Sequence, residues 1–137
     1  MPTVEVELLA ANEAFYAAFD HRDASLMDDL WAAEAEVICI HPGWDLLVGR
    51  EQVMKSWRAI LDNPAAPRVR CRRAQARVCG QAAMVVCIEE IDGSELIATN
   101  VFTREADAWK LVHHQAGPVA RRREAEATPR RARRDLN

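Results

Sequence analysis

The sequence predicts an α+β domain in which N-terminal helices cover one face of an antiparallel sheet. Apolar residues recur at helical spacing in three stretches before residue 63, which indicates three amphipathic helices. After Pro67 come four long strand-like stretches joined by tight turns, among them Gly80-Gln81 and Asp92-Gly93. Consecutive hairpins favour an antiparallel meander, and the lack of alternating strand and helix units argues against a parallel α/β sheet.

The first two helices are predicted over Glu5–Asp20 and Ala24–Ala33. In the first, Leu8 and Phe15 belong to a row of large apolar residues at helical spacing, and the acidic first turn suits the positive end of the helix dipole. Asp23 is a good N-cap for the second helix. Both helices are therefore expected to bury one apolar face.

A short strand, a turn and a third helix follow. Glu36–His41 is rich in Val and Ile and is predicted to end before Pro42, because a residue preceding proline is pushed to extended geometry. Asp45–Val48 is a candidate for a second short strand. Beyond Gly49 the apolar residues share one helical face as far as Leu61. His41 is thus expected at a strand end.

Four long strands are predicted over Arg68–Cys79, Gln81–Ile91, Glu95–Arg104 and Ala108–Gly117. In the third of them, Asn100 alternates in phase with Ala98 and Phe102, on the side expected to face the helices. A polar side chain there needs a hydrogen-bond partner or a cavity. Asn100 is therefore a candidate for a functional site.

Alternation in the last strand separates its two histidines. Trp109, Leu111, His113 and Gln115 share one side, so His113 rather than His114 is expected in the interior. The opposite sheet face carries apolar residues that would not be left bare, and this predicts a homodimer formed through the sheet. The residues of that face are Ile97, Val101 and Val112.

Size and composition limit the classes of function. At 137 residues, half of them apolar and 28% charged, the chain has the length and composition of one globular domain without a membrane-spanning segment. The acidic start MPTVEVELLA lacks the pattern of a signal peptide, so a cytoplasmic location is expected. The four cysteines form no C-x-x-C pair and are expected to be buried thiols rather than disulfides or zinc ligands. They are Cys39, Cys71, Cys79 and Cys87.

Charge divides the chain in two. Residues 1–117 carry 11 Lys and Arg against 18 Asp and Glu, whereas residues 118–137 carry 7 Arg against 3 acids. We therefore predict a domain over residues 1–118 and an Arg-rich C-terminal tail over residues 119–137. Because an acidic body repels a phosphate backbone, nucleic-acid binding by the domain is not expected.

Three stretches in this order resemble the SnoaL-like group of the nuclear transport factor 2-like (ketosteroid isomerase-like) superfamily. They are FYAAFDHRDASLMDDLWAAEAEV, HPGWDLLVGREQVMKSW and TNVFTREADAWKLVHHQAGPVA. The last is also similar to the closing hairpin of the association domain of calcium/calmodulin-dependent kinase. The resemblance implies a cystatin-like cone, in which N-terminal helices pack in the concave face of a curved antiparallel sheet.

The chemistry of the superfamily does not transfer directly, because one fold hosts many functions. The tyrosine of the isomerases falls near Phe15, with Tyr16 beside it. Their general-base aspartate falls near Cys39 or His41, and their proton-donating aspartate falls on Asn100. The carboxylate pair is therefore not retained. Of the family's frequent His-x-His pattern on the closing strand, His113 matches the first position and Gln115 replaces the second.

His41, Asn100, His113 and Tyr16 are the predicted catalytic residues. An imidazole at a strand end transfers protons near neutral pH, so His41 is the candidate base, although a corner histidine bonded to nearby backbone is an equal alternative. Asn100 or Tyr16 would stabilise oxyanion charge, with His113 as a relay. The predicted ligand-binding residues are Trp44, Trp57, Phe19, Phe102 and Gln115.

The predicted function is binding of a small organic ligand in an apolar cavity, with cofactor-independent acid/base chemistry of the isomerase, dehydratase or hydrolase type. The alternative is a non-catalytic ligand-sensing or assembly domain. No metal is expected, because His41, His113 and Asp45 show no ligand spacing that would enforce a zinc geometry.

Overall fold

The computed structural model describes residues 2–120 as three helices and six strands. The helices are α1 (Val4–Asp20), α2 (Ala24–Leu30) and α3 (Arg50–Asp62). The strands are β1 (Ile38–Ile40), β2 (Leu47–Val48), β3 (Val69–Cys79), β4 (Ala82–Ile91), β5 (Ser94–Glu105) and β6 (Ala108–Pro118). The α+β class is therefore confirmed, and each predicted element is present with adjusted ends.

Side-chain caps explain where the first two helices begin. The hydroxyl of Thr3 accepts the N–H of Val6 at 3.2 Å, and the carboxylate of Asp23 accepts the N–H of Leu26 at 3.0 Å. The second helix ends at Leu30, three residues earlier than predicted. Its next residue, Trp31, takes an extended conformation and forms an isolated parallel bridge to β6.

All six strands form one curved, open sheet in the order β2-β1-β6-β5-β4-β3. The pairs from β3 to β6 are antiparallel hairpins, as the turns predict. The short strand β1 instead runs parallel to β6, with Ile38 beside His113. The helices pack in the concave face, so the end of β1 and three long strands converge behind α1 and α3.

A β-bulge in β6 reverses the predicted assignment of the two histidines. Val101 pairs with His113 while its neighbour Phe102 pairs with Leu111, which leaves Val112 as an extra residue. The alternation changes phase at that residue, so Leu111 and His114 are both buried on the concave side. The prediction that His113 faces the interior is wrong: His113 is half-buried on the opposite side.

The expectation of four buried thiols holds only in part. Cys39 and Cys87 are buried in the concave face, whereas Cys71 is half-buried and Cys79 is exposed at the end of β3. All four are free thiols. Cys79 differs because the hairpin end extends beyond the helices that cover the rest of the sheet.

Within residues 2–120 no helix is long and apolar enough to cross a membrane. Strand β6 ends at Pro118, and residues 121–137 of the predicted Arg-rich tail lie outside the described residues.

Candidate functional site

Five polar side chains meet in the concave face of the sheet, and we call them the polar cluster. None of them is more than 5% exposed. Burying so many polar groups is favourable only when they satisfy one another, and the fold gains little stability from such a network. The members are Asn12, Tyr16, Glu89, Asn100 and His114.

Two members of the polar cluster lie on one face of α1, and the other three lie on three different strands. Asn12 and Tyr16 lie one helical turn apart on α1, so both point toward the sheet. Glu89 continues the buried alternation of β4, and Asn100 continues that of β5. His114 pairs with Asn100 across β5 and β6. The cluster therefore depends on the long-range packing of α1 over three strands.

Asn100 is the centre of the hydrogen bonding. Its Nδ2 donates to Asn12 Oδ1 at 2.8 Å and, more weakly, to the Tyr16 hydroxyl at 3.3 Å. Its Oδ1 can only accept, so the 2.5 Å contact with His114 Nδ1 places the imidazole proton on Nδ1. His114 Nε2 is then left with a free lone pair. The distance from Nε2 to Glu89 Oε2 is 3.7 Å.

Glu89 and Tyr16 form a second short contact of the cluster. The Tyr16 hydroxyl donates to Glu89 Oε2 at 2.6 Å. Burial raises the pKa of the Glu89 carboxyl, an effect that the Tyr16 hydrogen bond opposes in part. Burial and then the neighbouring Glu89 charge raise the pKa of Tyr16 well above its usual value, so its hydroxyl stays protonated.

His114 is held neutral. Burial lowers its pKa to about 3, and repulsion by the other imidazoles acts in the same direction. A neutral imidazole with a free Nε2 is a hydrogen-bond acceptor, and burial makes the Glu89 carboxyl a stronger base than a free carboxylate. Glu89 can therefore exchange a proton with a small molecule placed beside it, and His114 can orient that molecule.

His41 connects the polar cluster to the surface. Its Nε2 lies 2.9 Å from the Ser56 hydroxyl, and burial lowers the pKa of the imidazole to about 4. Its ring centre is 4.7 Å from that of Trp44 on the outside and 6.5 Å from that of His114 on the inside. The Trp44 side chain is 47% exposed. His41 thus lies between an exposed indole and the buried acid/base groups.

Aromatic side chains fill the space between the helices and the polar cluster. The Trp57 ring lies 4.7 Å from His41, 5.4 Å from Phe15 and 5.0 Å from Phe19, measured between ring centres. Within residues 2–120 the buried Trp57 Nε1 has no hydrogen-bond partner by ordinary distance and angle, although the weakly accepting thiol of Cys39 is near it. A buried donor without a good acceptor is uncommon.

The structure brings most of the predicted site residues to this side of the sheet. His41, Asn100 and Tyr16 line one continuous interior with Trp57 and Phe102, and half-buried Phe19 packs at its edge. Trp44 covers His41 from outside. His113 and Gln115 are not part of the interior, because the bulge at Val112 turns both away.

Sequence reasoning missed four interior polar residues, two of which had a visible signal. Glu89 stands in phase with apolar residues of β4, and Asn12 lies four residues after Leu8 on the apolar face of α1. His114 had no such signal because the bulge is invisible in the sequence. Ser56 resembles an ordinary helix residue until His41 lies beside it.

The sheet also has a hollow on its other side. An open groove of about 1000 Å³ runs over the face that points away from the helices. It is lined by side chains of β3, β4 and β5, including Gln75, Val86, Ile88 and Ile97, and by residues 118–120. The groove and the polar cluster are thus separated by the thickness of the sheet.

No metal centre is evident in the part of the chain that is described. Residues 2–120 contain no group of three or more His, Cys, Asp or Glu side chains placed to hold an ion. Asp45, considered above as a ligand with His41, is exposed, and its Oδ1 accepts the N–H of Leu46 at 2.6 Å.

Comparison with protein families identifies the domain. A model of the SnoaL-like domain matches residues 8–121. The chain belongs to the SnoaL-like family. The match extends from the first helix to the end of the sheet and so includes every member of the polar cluster.

Solved structures agree with this assignment. A proposed dehydratase of the nuclear transport factor 2-like family from Streptomyces avermitilis is 32% identical, with a TM-score of 0.78 over 85% of this chain and 96% of that one. A proposed calcium/calmodulin-dependent protein kinase type II association domain from Thiobacillus denitrificans is also 32% identical, with a TM-score of 0.73 over 88% of this chain and 100% of that one. A cystatin-like protein of Nostoc punctiforme, 15% identical with a TM-score of 0.68, supports the fold alone.

A curated relative is the F-box protein SKIP8 of Arabidopsis thaliana. The two sequences are 25% identical over 111 residues, which is 80% of this chain and 48% of that protein. This chain thus spans about half the length of the curated relative that it matches.

Proposed function

We propose that this SnoaL-like domain binds a small organic molecule in its concave interior and acts on it by acid/base chemistry without a cofactor. The observation that carries the proposal is the buried set of Tyr16, Glu89, Asn100 and His114, joined by hydrogen bonds. Charged and titratable groups are costly inside a core and are concentrated at functional sites. The reaction type is an isomerisation or dehydration that begins with proton transfer beside a carbonyl or similar group, or a hydrolysis in which the same groups activate water.

The roles follow from the protonation states. Tyr16 stays protonated, and its hydroxyl proton, donated to Glu89 in the described structure, turns to a developing oxyanion when the ligand is bound. His114 stays neutral while Asn100 Oδ1 accepts its Nδ1–H, so its Nε2 accepts a hydrogen bond from the ligand. Glu89 takes and returns the proton, since burial raises its carboxyl pKa above that of a free carboxyl. His41 relays protons between this interior and solvent.

Entry requires movement of the loop that carries Trp44. The interior is packed by Phe15 and Trp57, each no more than 1% exposed, so a ligand reaches the cluster only when this covering opens. Gly43 and Gly49 bracket the loop with positive φ angles of 82° and 92°. The buried Trp57 N–H, which has no hydrogen-bond partner within residues 2–120, is available to a ligand oxygen.

The packed interior also favours a second candidate, a non-catalytic ligand-sensing or assembly domain. In this reading the polar cluster only specifies the fold. Assembly takes place through the outer sheet face, where Ile97 is 44% exposed and Val101 and Val112 are half-buried. A homodimer through that face covers the apolar residues beside the groove.

The four free thiols fit a reducing compartment, and we propose the cytoplasm.

Proton exchange distinguishes the two candidates. The chain is mixed in D₂O with a panel of β-hydroxy ketones and β,γ-unsaturated ketones, and deuterium uptake beside the carbonyl is followed by NMR. Enzyme chemistry predicts uptake faster than in buffer, reduced about 100-fold or more by Glu89→Gln and by Tyr16→Phe. His21→Gln is the control, since His21 is exposed on the α1–α2 connection. A folded wild-type protein that accelerates exchange of no probe favours the non-catalytic candidate.

Light scattering tests assembly independently. Wild-type protein at micromolar concentration is expected to have the mass of a dimer, and Ile97→Lys is expected to give a monomer. Val6→Lys changes an equally apolar, 54% exposed residue on α1 and is expected to leave the dimer intact. Monomeric wild-type protein removes the sheet-interface proposal.

A further inference from the structure

Two cysteines on neighbouring strands contact the two members of the polar cluster that lie on α1. Asn12 Nδ2 lies 3.6 Å from Cys71 Sγ on β3. The Cys87 thiol on β4 donates to the Tyr16 hydroxyl at 3.4 Å. Asn12 and Tyr16 are in turn both bonded to the amide of Asn100. A change at the sulfurs is thus transmitted directly to the groups proposed above for catalysis.

The two sulfurs are diagonal neighbours on the concave face. Cys71 pairs with Glu89, and Cys87 lies two residues before Glu89 on β4. Diagonal positions of this kind have Cα atoms about 7–8 Å apart, slightly beyond the separation of up to about 6.8 Å that a disulfide tolerates. Bridging the two cysteines therefore needs a local backbone shift of roughly 1 Å.

The backbone beside Cys87 is already irregular. The register of β3 and β4 slips between Arg72 and Gln75, so two residues of β3 stand opposite Cys87 alone. One of them, Arg73, has a positive φ of 56°. A bulge can change its local bend without breaking the hydrogen bonds of the strands on either side. This bulge lies beside Cys87, where bridging the two cysteines needs the backbone shift.

The chemistry of the two thiols is complementary. For each thiol, the other thiol has the largest single influence on its pKa. The contact raises the pKa of Cys71 and lowers that of Cys87. Cys87 is the better thiolate, and half-buried Cys71 gives a small oxidant a route to the pair. Cys39 is fully buried, and burial raises the pKa of its thiol to about 12, so it is the inert cysteine of this face.

We propose that Cys71 and Cys87 are an oxidisable thiol pair that hydrogen peroxide converts to a reversible disulfide. The Cys87 thiolate attacks one peroxide oxygen and the O–O bond breaks, giving a sulfenic acid and a hydroxide that takes up a proton to form water. The Cys71 sulfur then attacks the sulfenic sulfur, forms the S–S bond and displaces hydroxide, which leaves as a second water with the Cys71 proton. The two sulfurs lose two electrons, and peroxide gains them.

Oxidation changes the polar cluster through Tyr16 and Asn12, the two residues that the sulfurs contact. The S–H donor to Tyr16 is lost, and the shift that joins the two sulfurs alters the 3.6 Å contact of Cys71 with the amide of Asn12. Because the diagonal position strains the bond, thiol reductants are expected to reopen it readily. The pair is then a site at which an oxidant adjusts the interior, whether that interior is catalytic or not.

Peptide mapping of the full-length chain tests the proposal. Cys79→Ser removes the exposed thiol, which could otherwise join two chains, and wild-type protein is treated in parallel. After brief exposure to hydrogen peroxide, free thiols are alkylated in denaturant and the protein is digested without reductant. We expect one cross-linked peptide pair containing Cys71 and Cys87, lighter by two hydrogen atoms, that dithiothreitol separates. Cys39 is expected to be recovered alkylated.

A second readout connects the bond to the cluster. In ¹⁵N-labelled protein the side-chain amide signals of Asn12 and Asn100 are expected to move on oxidation and to return on reduction, while that of exposed Asn63 stays in place. The proposal is overturned if folded protein gives no linked pair, gives higher oxides at the two sites instead, or links Cys39. It is also overturned if the disulfide forms while neither interior amide signal moves.

Discussion

Acidification should destabilise this fold through two imidazoles that are buried in the neutral form. His41 and His114 are 4% and 1% exposed, and burial lowers their pKa values from 6.5 to about 4 and about 3. In the unfolded chain both take up a proton near pH 6.5. The folded state binds fewer protons, so this contribution to stability is complete above pH 6.5. It is lost as the pH falls toward the folded pKa values.

The magnitude follows from those values. At pH 5 an unfolded imidazole is almost fully protonated and a folded one almost fully neutral, so each histidine costs about 2 kcal/mol relative to pH 8. Glu89 acts in the opposite direction. Burial raises its folded pKa, so its destabilising effect is largest at high pH and is relieved on acidification. The wild-type change is therefore smaller than the sum of the two histidines.

Urea unfolding at pH 8 and pH 5, followed by tryptophan fluorescence, measures the effect. For each protein the quantity of interest is the difference in unfolding free energy between the two pH values. We expect this difference to shrink by about 2 kcal/mol in His41→Gln and again in His114→Gln, whatever the stability of each variant at pH 8. Exposed His21→Gln is the control and should retain the wild-type difference. Variants with the wild-type pH dependence would refute the reasoning.

Three further outcomes concern stability and are measured by the same urea titration at constant pH. Trp57→Ala should cost about 3–5 kcal/mol, because it empties the centre of the interior; a loss below 1 kcal/mol would mean that the site is not packed as described. Arg22→Ala should cost about 1–3 kcal/mol, because the guanidinium donates at 2.6 Å to each of two carbonyls of the α3–β3 loop. Gly49→Ala should cost about 1–3 kcal/mol at a φ of 92°, and more than Gly117→Ala, where φ is not positive and a Cβ meets open space.

Local patterns were sufficient for the architecture. The spacing of Leu8 and Phe15 indicated a helix, and Asp92-Gly93 indicated a hairpin, because both signals act within a few residues. The phase of Asn100 between Ala98 and Phe102 also predicted correctly that it lies on the side facing the helices, where it is buried. In regular elements the direction of a side chain follows from its position in the repeat.

Local patterns predicted the candidate site less well than the fold, as the histidines of β6 show. A single extra residue, Val112, exchanges the faces of His113 and His114. Whether a strand contains a bulge depends on how its partner and the covering helices pack, and no local pattern in the sequence marks this one. The prediction of His113 as relay accordingly fell on the wrong side of the sheet.

Pairings between distant residues were also beyond the sequence. Glu89 is 73 positions from Tyr16, and Cys71 is 59 from Asn12. Each side chain could be assigned to a face, but its partner could not be named.

By itself the sequence determined the class of the fold, the order of its elements and the side of the sheet on which Asn100 lies, because these follow from backbone propensity and from the periods of helix and strand. Only the tertiary structure decided which histidine joins Asn100, that Glu89 faces Tyr16, and that two cysteines lie beside them. The reason is that hydrogen bonds and proton transfer depend on distances of a few ångströms. Such distances are set when α1 packs across strands that are far apart in the chain.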